Sequence, residues 1–417
     1  MIEQTEKKEI LLYLLLMIIC SMNSKLNYIF LIVIIAQIRN GYVGFLKACL
    51  WLTVKQGLYI PPLVAQFSSI QMNIKLLFLV ASALGIIVAY LAKESWIPKS
   101  CTAVLFFGGS ALVSAVGFGS YPIAGAIKVL SFTVVLIATI LAALECQSYF
   151  DLETYVYYVL SIVIGISFCI LPYGGAYLAG SDGLLFRGIW NHPNDFGVIC
   201  AIYLAIILVR CARIRYIQIL QMFMIFIMIY FSHSRGAMIS AVAILILYFG
   251  LCEEKNDRIL IGTFFAIIIV GAVYTNLGNI IEQFLSKGTG TLSANLFSSR
   301  DEIKEVAMTR FNSNRLFGRG LLISYDSSVR SYIFSEEGTE PGNIFYELLG
   351  GAGIIGVVLF IKMISFFFFN AVGKYRMYIL AAIVTSISEV SFFSVNNYAS
   401  LYYILLALCV VSSYRYD

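Results

Sequence analysis

Apolar runs long enough to be membrane helices recur from residue 9 to residue 413, and nothing else constrains this chain's folding as strongly. A hydrocarbon core about 30 Å thick takes roughly 20 apolar residues per crossing helix. The composition agrees: 60% of the 417 residues are hydrophobic, 12% are charged, and the mean hydropathy is +0.89. A soluble domain carries about twice that charge. The expected fold is therefore all-α, a polytopic integral membrane protein forming a single membrane domain over 1–417.

Fourteen candidate spans are expected, at 9–22, 27–38, 42–66, 75–92, 101–117, 124–144, 155–171, 196–211, 216–232, 236–251, 259–277, 343–369, 377–395 and 398–413, for about 12–14 transmembrane helices. The first run follows MIEQTEKKE and has no small-residue cleavage site before Lys25, so it is read as a span and not as a cleaved signal. Short basic loops stay cytoplasmic. Arg210, Arg213 and Arg215 mark one such loop, Lys255 and Arg258 a second, Lys374 and Arg376 a third. Alternation then puts both termini inside, and places 172–195, 232–236, 278–341 and 390–398 outside.

The large loop, 278–341, holds seven Lys and Arg against eight Asp and Glu, a near-neutral balance. Within it Ser299 stands three residues before Glu302, a capping-box spacing. Ile303, Val306, Ala307 and Phe311 follow at helical intervals. An amphipathic helix is expected near 300–312, then a turn-rich connector, NSNRLFGRGL.

The nine cysteines mostly sit inside apolar runs without metal-ligand spacing, which makes them small buried hydrophobes. The net charge of +5 does not suggest nucleic acid. Walker, GxGxxG, zincin and GxSxG motifs are absent from the polar segments, so ATP, nicotinamide and metal chemistry have no sequence support and no cofactor is expected.

Three arginines fall on the expected outer side beside apolar spans: Arg187 in LLFRGIWNHPNDFG, Arg235 in SHSRGA and Arg300 in FSSRDE. An arginine at membrane depth costs about 2.5–3.5 kcal/mol unless paired. Alone, each reads as a snorkelling or loop residue; together they point to an anion site. The planar guanidinium fork suits phosphate, and a helix starting at Arg300 adds free backbone N–H groups. Near Arg187 lie His192, Asn194 and Asp195, where Asp195 is the favoured helix cap and Asn194 an even candidate for capping. His192 and His233 are the two histidines, each at a span end. Trp190, Tyr325, Tyr332 and Phe345 are aromatic candidates for stacking on sugars.

Taken in order, RGIWNHPNDFGVICAIYLAI, SHSRGAMISAVAIL, SSRDEIKEVAM, LFGRGL and GNIFYELLGGAGIIGVVLF resemble the O-antigen ligase and polysaccharide polymerase (Wzy-type) superfamily, over about residues 184–362. The resemblance implies a glycosyltransferase in the bacterial cytoplasmic (inner) membrane, with its site facing the periplasm. Its donor would be an undecaprenyl diphosphate-linked oligosaccharide, used without nucleotide or metal. Arg187, Arg235 and Arg300 would hold the diphosphate, Glu347, Glu340 or His192 would act as base, and His192, Asn194, Arg319 and Asn343 would bind substrate. A chain-length regulator and a repeat-unit flippase are the partners implied.

Where many relatives, ligases especially, read His-Asn, this chain has Gly342 and Asn343, and Gly351 replaces a frequent acidic residue. This favours a polymerase over a ligase. A flippase of the same lipid-linked oligosaccharide would need charges through the span interiors. Here only Lys47, Lys55, Lys128, Lys362 and Glu389 lie there.

Overall fold

The computed structural model describes residues 4–59, 66–93, 96–180, 183–210, 216–251, 259, 262–263, 301–321, 343–388 and 392–414. Most of the expected span at 259–277 lies outside these residues, as do Arg300, Tyr325, Tyr332, Glu340 and Glu389.

The chain is an all-α polytopic membrane protein. It opens with α1 (Gln4–Cys20), α2 (Asn27–Ala36), α3 (Gly41–Gly57) and α4 (Ser69–Leu91). Next come α5 (Lys99–Phe118), α6 (Pro122–Cys146) and α7 (Leu152–Cys169), then a hairpin of β1 (Tyr177–Gly180) and β2 (Gly183–Phe186). After it stand α8 (Pro193–Arg210), α9 (Tyr216–Phe231) and α10 (Arg235–Leu251). The remaining helices are α11 (Asp301–Ser313), α12 (Ile344–Asn370), α13 (Arg376–Ser388) and α14 (Ala399–Tyr414).

Among the described residues, seven helical runs are long and apolar enough to cross a membrane, one of them the nearly continuous run Ser24–Gly57; α9, α10 and α14 are shorter apolar helices. The first run turns sharply at Gly41, whose φ of 65° suits only glycine well. Local chemistry sets several starts. Ser68 and Gln71 form a reciprocal capping box on α4, Pro122 occupies the first turn of α6, and Asp151 accepts from the Thr154 N–H at α7.

Helices α6, α8 and α14 form the interior, apolar and covered on nearly every side. Helices α4 and α5 instead expose Leu77, Val88, Phe106 and Val116. In a membrane such a face is the lipid contact. Several polar groups inside are paired: the Trp51 indole N–H donates to Tyr155 at 2.9 Å, and Tyr378 and Tyr375 donate to Glu153 at 2.6 and 3.2 Å.

Chain direction alternates through the bundle. One end gathers the C-terminal ends of α3, α5, α7 and α13 with the N-terminal ends of α6, α8, α10, α12 and α14, as the Gly57–Asn191, Ser167–Ile189, Asp195–Tyr398 and Asn343–Ile387 contacts show. The far end holds Arg210, Tyr375, and Trp96 against Tyr414. Helices α8 and α10 touch backbone-close at the first end: a Cβ on Gly197 would lie 2.7 Å from the Ala237 Cβ and 2.8 Å from the Ser234 Cβ. Gly197→Leu should therefore cost about 1–3 kcal/mol by overpacking, read as a lowered Tm of the detergent-solubilised protein.

Candidate active site

The segment after β2 is stitched to the end of α3. Tyr59 N–H donates to Ile189 O at 2.7 Å, and Asn191 N–H donates to Gly57 O at 2.7 Å. Gly57 has no room for a Cβ, which would stand 2.5 Å from the Trp190 ring. Trp190 is fully buried against Tyr398, so its ring is core and does not serve as the sugar platform expected of it. Phe345 stays exposed.

This zipper fixes Arg187. Its guanidinium carbon lies 3.7 Å from the Tyr59 ring centroid, a cation–π geometry. The residue is 7% exposed, and its one side-chain hydrogen bond among the described residues is a long one, Nη1 to Asn191 O at 3.5 Å. Its Nε is buried with no partner among the described residues. A buried cation with donors to spare is a strong demand for an anion.

Helix α8 begins one turn later. Its first turn uses His192 in place of the expected cap residues: His192 Nδ1 accepts from the Asn194 N–H at 3.3 Å, and Pro193 fills the first helical position. The capping expected of Asp195 is corrected, because its carboxylate instead accepts from the Tyr398 hydroxyl at 3.0 Å. Sequence reasoning overlooked His192 as a cap because histidine is a weak cap former, although the following proline marks a helix start.

Through Gly197 the α8 start meets the SHSRG turn. His233 takes a left-handed φ of 53°, its ring near Tyr230, and Ser234 is buried with its hydroxyl lacking a partner among the described residues. Arg235 then opens α10 and is half-buried. The Arg187 and Arg235 segments, distant in sequence, thus converge at one end of the bundle. Arg300 lies outside the described residues, one position before α11 begins.

From the last turn of α11, Arg310 Nη2 donates to the carbonyls of Arg319 and Gly320 in the connector beyond, and Arg319 Nε donates to Ser313 Oγ at 2.9 Å. Burial, with the charge of Arg319 nearby, pushes the Arg310 guanidinium down to about 10, which leaves it cationic at neutral pH. Arg319 itself is exposed.

Asn343 and Glu347 serve the fold more than their expected roles. Asn343 Oδ1 accepts from the N–H groups of Phe345 and Tyr346, capping α12, while Nδ2 donates to Ile387 O at 2.8 Å. Glu347 is 1% exposed and paired at 2.7 Å with Lys128 of α6. Its carboxylate is thus engaged by a buried ammonium and closed off from solvent.

Helix α12 is broken where the connector meets it. Gly353 has φ 63° and ψ −167° inside the helix. In a regular helix the Ile354 and Ile355 N–H groups would reach the carbonyls of residues 350 and 351; here they donate to Arg315 O and Leu316 O at 2.9 and 3.1 Å. The freed carbonyls of Gly350 and Gly351 take the N–H groups of Arg319 and Gly320, both at 2.9 Å. These four backbone groups at the break are thereby satisfied, which is what irregular backbone at membrane depth requires. The LFGRGL and LGGAG glycines make this possible, since a Cβ on Gly318 would stand 2.6 Å from Gly351 backbone.

Among the described residues no group of His, Cys, Asp and Glu has the arrangement of a metal site. Residues 220–361 match the family model described as O-antigen ligase, about a third of the chain, spanning the SHSRG turn, the large loop and most of α12. No curated protein matches the chain.

Proposed function

We propose, on the premise that this chain is a member of the O-antigen ligase and polymerase superfamily, that it polymerises lipid-linked repeat units. It is a glycan transferase of that general type. The donor in this reading is an undecaprenyl diphosphate-linked glycan, and the acceptor is a sugar hydroxyl of a second lipid-linked unit. The reaction takes place at the periplasmic face of a bacterial inner membrane.

The observation that carries the reading is the buried Arg187 guanidinium, whose Nε has no partner among the described residues. Arg187 and Arg235 bind the diphosphate, with Arg300 assigned to it from the sequence. In the transfer step the acceptor oxygen bonds to the anomeric carbon while the bond from that carbon to the diphosphate oxygen breaks. The electron pair leaves with the diphosphate, so fixed positive charge lowers the barrier most. The hydroxyl proton passes to Asp195, the carboxylate in the first turn of α8, which replaces Glu347 as base because Glu347 is held by Lys128. His192, Asn194 and Arg319 border the sugars; Asn343 positions α12.

The absence of the ligase-type histidine at Gly342 favours a polymerase over transfer to another acceptor. In membranes supplied with lipid-linked repeat units, Arg235→Lys, Arg300→Ala and Asp195→Asn should each slow chain elongation about 100-fold. Normal elongation by all three would overturn the site assignment. A deletion strain separates the classes of activity. Loss of polymer with single units retained on the final acceptor means polymerase, polymer held on carrier lipid means ligase, and units trapped inside mean flippase.

A further inference from the structure

Lys128 sits near the start of α6, buried, and its ammonium joins three parts of the chain. Nζ donates to Glu347 Oε1 in the first turn of α12 at 2.7 Å and to the Leu321 carbonyl at the end of the connector at 3.1 Å. Ser114 of α5 reinforces the same junction: its hydroxyl donates to Gly351 O and accepts from the Gly320 N–H. The peptide that Lys128 grips is the one that sets two arginines. Arg319 precedes it by two residues, and the carbonyls of Arg319 and Gly320 receive Arg310 Nη2.

A buried ion pair that only supports a fold is dispensable in principle, because well-packed apolar residues of similar volume often replace it without loss of stability. Lys128 differs in its second bond. An apolar side chain cannot donate to Leu321 O, so removal of the ammonium loosens the Leu321 end of the connector even where the packing is restored, although the backbone bonds to α12 remain.

We propose that Lys128 is a positioning residue: its ammonium holds the Leu321 carbonyl, and so fixes the 318–321 connector in the register that sets Arg319 beside the sugars, with Arg310 clamped to the connector carbonyls, while Glu347 neutralises it. This rests on the polymerase reading for its effect on turnover, and on geometry alone for its effect on the connector.

The test uses the full-length protein in detergent and in proteoliposomes. Lys128→Met leaves Glu347 buried without its cation and should fold poorly. The double variant Lys128→Met with Glu347→Leu should recover a Tm near wild type, yet lose about tenfold or more in kcat for elongation, as expected when binding groups shift by a fraction of an ångström. Wild-type stability together with wild-type turnover in that double variant would overturn the proposal. Glu347→Gln keeps an oxygen for Lys128 and leaves the Leu321 bond intact, so it should retain most activity; a folded but inactive Glu347→Gln would overturn the proposal by making Glu347 the essential group.

Trypsin cleavage after Arg315 and Arg319 reads the connector independently of any assay. It should be faster in the folded double variant, and an unchanged rate would overturn the positioning role even if wild type makes no polymer. Failure of wild type to elongate lipid-linked units would instead reject the polymerase reading and leave the connector result standing.

Discussion

Arg187→Ala should lower chain elongation by about 10²–10³-fold, the range lost when one preorganised charge-stabilising donor is removed from a reaction site. The fold should survive it. Arg187 contributes one long hydrogen bond and a ring contact to Tyr59, whereas the backbone zipper of Tyr59, Ile189, Asn191 and Gly57 does not involve its side chain. Arg187→Lys should recover little, because an ammonium has neither the planar face that stacks on Tyr59 nor the fork that meets two phosphate oxygens. Elongation and Tm measured on the same preparations check both statements. Full activity in the alanine variant would remove Arg187 from the site.

The second large effect belongs to the broken helix. Gly353→Val should leave little folded protein. The φ of 63° with ψ of −167° is a region held almost only by glycine, and it costs another residue about 1–3 kcal/mol, with a branched side chain at the upper end. The new Cβ would also stand 2.5 Å from Leu316 O and 2.6 Å from the Gly318 N, both backbone atoms that cannot rotate away. With overpacking of about 1–3 kcal/mol added, the total is about 2–6 kcal/mol. Gly109→Val in α5 is the control, since a Cβ there meets nothing within 4 Å. Size-exclusion profiles should separate the two: aggregation or loss for Gly353→Val, a monodisperse peak for Gly109→Val.

How much of this could be read from the sequence depends on how local each signal is. The helices α4 to α8 follow from apolar run length, and the SHSRG turn from the two polar groups between such runs. Arg187 and Arg235 were legible as arginines out of place beside spans, although the Gly57–Trp190 and Gly197–Ser234 contacts that bring their segments together were not. Lys128 stood out as a charge inside a span, but its partner is 219 residues away and nothing local announces it. The β1–β2 hairpin was missed because GGAYLAGSDGLLF is short and glycine-rich, with its antiparallel register of Tyr177 to Phe186 set by pairing, not by a strong alternating pattern. The glycines of LFGRGL and LGGAG were visible as turn and small-residue signals separately. That each run makes room for the other is a tertiary fact.

That mutual dependence imposes an order on assembly. Helix α12 is 27 residues long and apolar, and in lipid a backbone without outside partners must satisfy itself. Before the connector docks, the carbonyls of Gly350 and Gly351 have only the N–H groups of Ile354 and Ile355 to bind, so an unbroken helix is the form that inserts. Two helical hydrogen bonds are then exchanged for four between segments. The break thus requires both segments in place, and the connector that makes it, although it precedes α12 in the chain, must wait for that helix to arrive.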